Sequence, residues 1–538
     1  MMLHLIPEPA LQGKTNGARE SISVAEDYHD QISAINNHST RSTYHDARDM
    51  QRMGLDQKFV RQFRFLSFVS FVAVATAIWE ITLFTVTPGL TNGGRPGLLY
   101  AVLWNFLGFG PIYLSLAEMA SIAPIAGAQY HWVSEFAPER CQKVLSYLTG
   151  WISTLAWQSG NVLGVFLAAT ITQAIIIVNA PTYESPRWHA TVLVIGVIGY
   201  TLFANVFGSR LLPRIQNLLF VVHIMVYFAL IIPIWVNAPR TTSAEVWTRL
   251  SNAGGWSGLP LSVLIGQVSG VFTQVGVDTA AHMSEEVRDA AMAVPRAIIS
   301  VYIFNFCLIF LAMITLCYHI LDVGTAVTDP TAYPVIYVLR QAISQTWLTT
   351  ILAFTVFLLT FADISYLATV SRDLFAFARD DGLPFSNWIS RVDSSRNMPL
   401  NACILTCVTS ICLALIYLGS PVAFYAFTSL NIVALLQCYN ISIGCVLWRR
   451  IRHPTTLPKA RFSLGKLGIP INIAAIVYSS WAFFWCFWPQ YYPITAANFN
   501  WSSVIFTSVL LGSLFYYFIW GRWKYVGPVV RVEGRKVR

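Results

Sequence analysis

Long apolar runs alternate with short polar connections along most of the chain, and this pattern predicts a bundle of membrane-spanning helices. About 20 apolar residues in helical form cross the hydrocarbon core of a bilayer. We predict twelve such spans, at about 65–88, 98–120, 145–178, 189–208, 214–237, 261–282, 297–318, 346–373, 400–419, 421–448, 470–488 and 502–520. The predicted fold class is an all-α polytopic membrane protein with about 12 transmembrane helices.

The sixth span differs from an ordinary membrane helix. It carries glycines and polar residues within an apolar run, namely Gly266, Gly270, Thr273, Gln274, Gly276, Asp278 and His282. Because lipid cannot satisfy free backbone N–H and C=O groups, a helix that loosens at membrane depth lines a cavity or binds a ligand there. We predict a helix that breaks between Phe272 and Gly276 at a substrate site; close helix packing on the glycines is the alternative.

The composition agrees with this class. Of the 538 residues, 55% are hydrophobic and 11% are charged, with a net charge of +9. Roughly 26 basic residues lie in the termini and the even-to-odd loops, against about five in the other loops, and this bias predicts that both termini are cytoplasmic. The basic charge therefore orients the chain and contacts anionic headgroups of the lipid bilayer, and no nucleic-acid partner is expected. The nine scattered cysteines predict neither a disulfide framework nor a metal site, and no cofactor is predicted.

Several motifs resemble one transporter superfamily. The run GVFTQVGVDTAAHMSEEVRDAAMAVPRAI at 270–298 resembles the sixth-helix signature of the amino acid-polyamine-organocation (APC) superfamily. SLAEMASIAPIAGAQYHWVSEFAP at 115–138 resembles its second helix and re-entrant loop, and SRDLFAFARDDGLP at 371–384 resembles the loop after its eighth helix. With WEITLF, NGGRPG and GWISTLAWQSGN, the chain is most similar to the fungal branch of GABA, choline and amino-acid permeases.

This resemblance implies the leucine-transporter fold, in which two inverted five-helix repeats hold helices 1 and 6 broken at the substrate. It implies four regions: a flexible cytoplasmic N-terminal tail (1–60), the inverted-repeat transport core of helices 1–10 (61–450), helices 11 and 12 (451–520), and a basic cytoplasmic C-terminal tail (521–538). The implied function is secondary active import of an amino acid or related amine by alternating access, with a co-transported proton. GABA, choline and polyamine-like substrates all remain candidates, because they differ by one charge or a few methylenes.

Candidate substrate-binding residues lie on spans 1, 3 and 6. They are Ala75, Thr76, Ala77, Trp79, Glu80, Trp157, Gln158, Phe272, Thr273, Gln274, Gly276 and Asp278. Span 1 has no glycine between Leu66 and Phe84, so a break there rests on small residues. A carboxylate at this depth faces a cavity or a partner; Glu80 is therefore either an anchor for a substrate ammonium group or one half of a structural pair. Ordinary packing is the alternative role for Trp157.

Candidate coupling residues lie on spans 5 and 8. His223 is the one ionisable residue of span 5, and the resemblance places it where proton-linked bacterial members have a lysine. Histidine changes charge near neutral pH and suits a proton relay; a neutral, hydrogen-bonded histidine is the alternative. On span 8, Asp363, Ser365 and Thr369 either complete a cation or proton site or join neighbouring helices.

Charged residues in the inner loops are candidate gate residues. Glu285, Glu286, Arg288 and Arg372 can form ion pairs that break when the cavity opens, and Glu118 and His131 flank a Pro- and Gly-containing interruption at the same end. Solvated helix ends give similar patterns.

Two other functions stay open. A nutrient sensor would keep the fold and have lost transport. A membrane-embedded enzyme is less favoured, because the ionisable residues lie on separate spans without a catalytic spacing; we expect that the protein is not an enzyme. The plasma membrane is the expected location.

Overall fold

The computed structural model of the protein is helical, with three isolated β-bridges in the residues that it describes. These residues are 41–208, 211–393, 396, 398–419 and 423–532. Within them, eleven helices are long and apolar enough to cross a membrane. The all-α, multi-pass class predicted from the apolar runs is confirmed.

The first half of the chain contains α1 (Tyr44–Arg52), α2 (Phe65–Thr76), α3 (Ile78–Phe84), α4 (Gly94–Ile122), α5 (Ala128–Phe136), α6 (Gln142–Asn179), α7 (Arg187–Gly208) and α8 (Leu212–Asn237). The second half contains α9 (Leu259–Gly266), α10 (Val268–Phe272), α11 (Thr279–His282), α12 (Ala290–His319), α13 (Pro334–Ala342), α14 (Gln345–Arg379), α15 (Leu400–Gly419), α16 (Ala423–Arg452), α17 (Gly468–Trp485) and α18 (Ser502–Tyr516). Shorter helices lie in the connections at Thr87–Thr91, Ser243–Trp247, Val323–Val327 and Ser386–Ile389.

Eleven of the twelve predicted spans coincide with the long apolar helices of the described residues. The sixth predicted span, 261–282, is different, because its apolar helical part ends at Phe272 after starting at Leu259. A non-helical turn and the short helix α11 follow it. The number of twelve membrane crossings therefore stays a prediction.

The backbone is interrupted in both segments that were predicted to loosen. Between α2 and α3, Ala77 has φ 42° and ψ 42°, a left-handed conformation that costs an L-residue about 1–2 kcal/mol. In the turn before α11, Gly276 has φ 99°, a value that glycine adopts without a Cβ clash. A Cβ added to Gly276 would lie 3.8 Å from the Thr76 methyl group. The two interruptions therefore face each other.

The other two glycines of this segment serve close packing. A Cβ on Gly266 would collide with the carbonyl oxygen of Asn92, and one on Gly270 would lie 2.7 Å from the Asn105 side-chain amide. Both alternatives raised by the sequence therefore apply, each to different glycines: close approach at Gly266 and Gly270, and backbone conformation at Gly276.

Part of the region predicted as the N-terminal tail forms a helix in the structure. Residues 1–40 lie outside the described residues, but from Tyr44 to Arg52 the chain forms α1. Both a local cap and contacts with a distant part of the chain stabilise this helix. Thr43 and Asp46 form a capping box at the start of α1, and both carboxylate oxygens of Asp46 accept the backbone N–H groups of Asp289 and Ala290 at 3.0 Å. Asp46 thus joins α1 to the start of α12.

The predicted C-terminal tail is also packed against the bundle as far as Val532. Tyr525 is fully buried, and the Val529 N–H donates to Ser134 Oγ at 3.1 Å. A side chain on Gly54, which has φ +64°, would collide with the carbonyl of Arg531. The two ends of the described chain therefore meet. We call this end of the bundle the terminal face; it comprises Tyr44–Arg64, Ser284–Asp289 and Tyr525–Val532.

Replacement of Asp46 by alanine is expected to destabilise the terminal face. The Arg61 guanidinium lies 3.3 Å from Asp46, with both side chains buried, and removing one partner of a buried ion pair costs about 3–5 kcal/mol. The purified Asp46→Ala protein should therefore show a lower apparent melting temperature than the exposed Asp56→Ala control. Equal melting of the two variants would contradict this account.

Candidate functional site

A small cavity lies where the two backbone interruptions face each other. Its volume is about 50 Å³. Six of the candidate residues from the sequence line it, namely Ala75, Thr76, Ala77, Phe272, Gly276 and Asp363. An apolar cavity of about 150 Å³ holds a benzene-sized ligand, so a substrate of several heavy atoms needs the walls to move apart.

Asp363, on α14, is the one acidic residue among the described residues that line the cavity. Its side chain is 5% exposed, and Oδ2 has no hydrogen-bond partner in the described part of the chain. A buried carboxylate without a partner is costly, and it favours either a proton or a cationic ligand. The cavity therefore has an apolar wall with one unsatisfied acceptor.

Two glycines of α6 make room for this arrangement. A Cβ on Gly164 would collide with Oδ1 of Asp363, and one on Gly160 would collide with the hydroxyl of Tyr366. Glycines four residues apart share a helix face and allow close approach of a neighbouring helix. Gly160 and Gly164 therefore set the distance between α6 and α14 at the cavity.

Glu80 and His223 form a buried pair outside the cavity. The Oε1 atom of Glu80 lies 2.6 Å from Nδ1 of His223, and each side chain is 1% exposed. Trp79 packs against the same histidine, with ring centroids 5.5 Å apart. The carboxylate predicted as a possible substrate anchor thus has the neighbouring-helix partner that the alternative required, and that partner is the predicted coupling residue.

The Glu80–His223 pair is not fully satisfied. The second carboxylate oxygen, Oε2, and the second ring nitrogen, Nε2, have no hydrogen-bond partner among the described residues. A buried pair with free positions on both groups can exchange a proton without leaving two isolated charges.

The remaining polar candidates of the sixth segment bond to protein groups. Asp278 accepts hydrogen bonds from Gln129 Nε2 at 2.7 Å and Tyr439 Oη at 2.8 Å. Thr273 donates to the carbonyl of Gly270 at 2.7 Å, and Gln274 Nε2 donates to Thr273 Oγ1 at 2.7 Å. These bonds hold the turn and place the three side chains outside the cavity lining.

The two candidates of span 3 do not line the cavity. The Trp157 ring packs against His282 and Tyr366, with centroid distances of 4.8 and 5.3 Å. Gln158 donates from Nε2 to Thr406 Oγ1 at 2.9 Å on α15. Trp157 thus supports a wall residue of the cavity from behind.

Ser365 and Thr369 join helices in this structure. Ser365 accepts a hydrogen bond from Gln216 Nε2 of α8 at 2.9 Å. Thr369 accepts from Thr279 of α11 at 3.1 Å. Neither lines the cavity; both connect α14 to segments that surround it.

Two ion pairs lie on the side of the cavity toward the terminal face. Arg372 Nε is 2.8 Å from Glu286 Oε1, and Arg379 Nη1 is 3.2 Å from Glu285 Oε1. All four side chains are largely buried. Three predicted gate residues therefore come together, with Arg379 as an additional partner, and they connect the segment after α11 to the end of α14.

The other gate candidates have different contacts. Glu118 pairs with Arg450 and accepts the backbone N–H of Leu464 at 2.9 Å, so it joins α4 to the connection before α17. Arg288 donates to the carbonyl of Arg61 at 3.4 Å. Burial and nearby arginines lower the pKa of His131, in the short helix α5, to about 3. Its ring is therefore neutral near pH 7 and forms no ion pair with the nearby Glu135.

A second cavity of about 220 Å³ lies on the other side of the first, away from the terminal face. Both cavities lie along α3 and α6. The lining of the second cavity includes Thr85 and Pro88, which follow α3, and Phe166 and Thr170 on α6. On the side away from the terminal face, the first cavity is therefore followed by a second cavity. On the side toward the terminal face, it is followed by the two ion pairs.

Sequence reasoning missed ten residues of the cavity wall, six of which are apolar side chains; the other four are Gly160, Gly164, Tyr366 and Asn431. The four-residue spacing of the two glycines within an apolar run was a detectable signal. Tyr366 and Asn431 carried no such signal, since their position depends on how α14 and α16 rotate toward α6.

Comparison with known proteins identifies similar chains. A family model described as amino acid permease matches residues 66–510. Amino-acid permease 2 of Neurospora crassa is 25% identical over 497 residues, covering 91% of this chain and 90% of that protein. The choline transporter of Saccharomyces cerevisiae is 25% identical over 458 residues, covering 84% of this chain and 79% of the yeast protein. Amino-acid permease BAT1 of Arabidopsis thaliana is 27% identical over 510 residues, covering 90% and 96%.

Among solved structures, the manganese transporter of Eremococcus coleocola is similar with a TM-score of 0.50. The superposition covers 88% of this chain and 95% of that chain at 13% sequence identity. At this identity the likeness concerns the fold alone.

Replacement of Gly164 by alanine is expected to destabilise the protein. The added methyl group would overlap the Asp363 carboxylate, and overpacking of this kind costs about 1–3 kcal/mol. The matched control is Gly196→Ala on α7, where nothing lies within 4 Å of the added Cβ. The Gly164→Ala protein should melt at a lower temperature than this control, and equal melting would show that the two helices can separate freely.

Proposed function

The chain belongs to the amino acid permease family of the APC superfamily, and from this membership we propose that it imports an amino acid or a related amine by alternating access, coupled to a proton. Membership makes the protein a multi-pass membrane transporter and not an enzyme. The observation that carries the finer proposal is the unpartnered Asp363 carboxylate in the wall of the cavity.

A substrate amine fits this carboxylate. An ammonium group would neutralise Asp363 at a depth where an isolated charge costs several kcal/mol. The neighbouring rings of Phe272 and Tyr366 also line the cavity, and aromatic faces attract cations. GABA, choline and polyamines all carry a cationic nitrogen that this wall can hold, as do amino acids. The yeast choline transporter and the Neurospora permease, both similar in sequence, are compatible with this class.

The arrangement of cavities and ion pairs supports a state that is closed at the terminal face. Release through that face requires the Glu285–Arg379 and Glu286–Arg372 pairs to separate, together with the contacts of Asp46. The excess of basic residues supports a cytoplasmic terminal face. Substrate then enters through the second cavity from outside, and we place the protein in the plasma membrane.

The Glu80–His223 pair is the proposed proton site. Glu80 lies on α3, which follows the left-handed Ala77, whereas His223 lies on the continuous helix α8. A movement of α3 relative to α8 would change the 2.6 Å distance between Glu80 and His223. It would therefore change how strongly the pair holds a proton. Proton binding and the position of the helix beside the cavity are coupled in this way.

Uptake of labelled substrates tests the proposal. Cells that lack their own permeases, and proteoliposomes containing the purified chain, are supplied with GABA, choline, polyamines and neutral amino acids. Uptake of at least one of them is expected. Ligand binding without flux for any of them would instead favour a sensor.

The Asp363→Asn variant is expected to lose affinity for the transported amine. Loss of a buried charge-assisted contact costs about 1.5–3 kcal/mol, which corresponds to a fall in affinity of roughly 10- to 150-fold. Asp363→Glu should retain more affinity than Asp363→Asn, since it keeps the charge. Glu184→Gln, an exposed position, is the control. Normal affinity in Asp363→Asn would remove Asp363 from substrate recognition.

Replacement of either member of the proton site is expected to uncouple uptake from pH. In Glu80→Gln and His223→Ala, one group can no longer exchange a proton, so a transmembrane pH gradient should no longer drive accumulation in proteoliposomes. His453→Ala, at an exposed position, is the matched control and should accumulate substrate normally. An unchanged dependence of uptake on the gradient in both variants would assign coupling to another group.

A further inference from the structure

A large apolar groove lies on the other side of α6 from the substrate cavity. Its volume is about 700 Å³, within the range of about 300–1,000 Å³ that is usual for small-molecule sites. Its walls come from α6, the loop after α14, α15, α16 and α18, and include Leu155, Leu383, Trp388, Leu413, Leu430 and Val509. The half-exposed rings of this wall, such as Trp388 at 42%, face the surroundings of the bundle, where a transporter of this class meets lipid.

Three residues that line this groove have a side-chain polar atom without a partner among the described residues: Trp151 (Nε1), Thr154 (Oγ1) and Gln158 (Oε1). Thr154 and Gln158 are one helical turn apart on α6, so they share a face. Gln158 is 7% exposed, and its amide nitrogen already donates to Thr406, so its oxygen still needs a hydrogen-bond donor.

The free hydroxyl of Thr154 is an exception on these helices. Thr149 and Ser159 on α6 donate to carbonyls four residues earlier, at 2.7 and 2.8 Å. Thr409, which also lines the groove, does the same on α15 at 2.9 Å. A hydroxyl in a membrane helix normally takes this local bond. Thr154 instead makes no hydrogen bond within the described residues, so both its donor and its acceptor positions are unused.

The lining restricts the chemistry of the occupant. None of the described residues that line the groove is charged. A phospholipid headgroup carries a phosphate, which basic side chains normally bind, and nothing in this lining offers such a partner. The walls favour a large uncharged apolar molecule, and the two adjacent polar atoms favour one hydroxyl group on it.

We propose that this groove binds a sterol, whose hydroxyl donates to Gln158 Oε1 and accepts a hydrogen bond from Thr154. A rigid ring system fills a wide apolar groove with little loss of its own conformational entropy. The bound sterol packs against the face of α6 opposite to Gly160, which lines the substrate cavity. This site is distinct from the transported substrate, and it stands whether or not the substrate is an amine.

Photolabelling of the full-length protein tests the site. The protein is reconstituted in phosphatidylcholine nanodiscs that contain a sterol with a photoactivatable diazirine, and labelled peptides are identified by mass spectrometry. We expect labelling in the peptides around 151–159 and 405–413, and competition by unlabelled sterol. The methyl ether of the same sterol, which cannot donate a hydrogen bond, should compete about fivefold to tenfold less well. Thr154→Val should weaken labelling by a similar factor.

A matched pair of variants separates the groove from the general lipid surface. Val509→Trp fills the groove, whereas Leu511→Trp adds the same ring to the same helix at a 59% exposed position. Val509→Trp should abolish labelling of these peptides and Leu511→Trp should leave it intact, with both proteins eluting as folded monodisperse species. Labelling that is spread evenly over the lipid-facing helices, that persists in Val509→Trp, or that a phosphatidylcholine probe reproduces would overturn the proposal.

Discussion

A bilayer offers no hydrogen bonds, and every polar group at membrane depth in this protein must therefore find a partner within the bundle or bind a ligand. Most of them find one. Asp278 is held by a glutamine and a tyrosine, and Glu80 by His223. Asp363 is the acidic residue of the cavity wall that is left with an unsatisfied oxygen in the described structure. The functional proposals follow from such exceptions, since a group that the fold leaves unsatisfied needs something from outside the chain.

The same constraint explains which features could be predicted from the sequence. Apolar runs must have the length of a bilayer, so the spans and the all-α class were predictable. The glycines of the sixth segment also gave a signal, but one with two meanings: Gly266 and Gly270 allow close packing, and Gly276 allows a positive φ. Ala77 gave a weaker signal, since alanine is an ordinary helix residue. A left-handed conformation such as that of Ala77 persists only where the surrounding structure determines it.

Pairing between spans was not predictable from one sequence. Glu80 and His223 are 143 residues apart, and their contact depends on the rotation of α3 after Ala77. The sequence therefore left two roles open for each residue, and the structure joins them in one pair. Similarly, the folding of residues 41–60 depends on the start of α12, where Asp46 satisfies two backbone N–H groups. A polar composition says nothing about such distant donor groups.

The meeting of the chain ends at Gly54 and Arg531 has a consequence for the order of biosynthesis. The first of these residues leaves the ribosome before any span has been made, and the second only after the last span. The contacts of Tyr525 and Val529 with the bundle are equally late. During synthesis the membrane therefore holds a nearly complete bundle whose terminal face still lacks its final layer. The terminal face is therefore the last part of the described structure whose contacts can form.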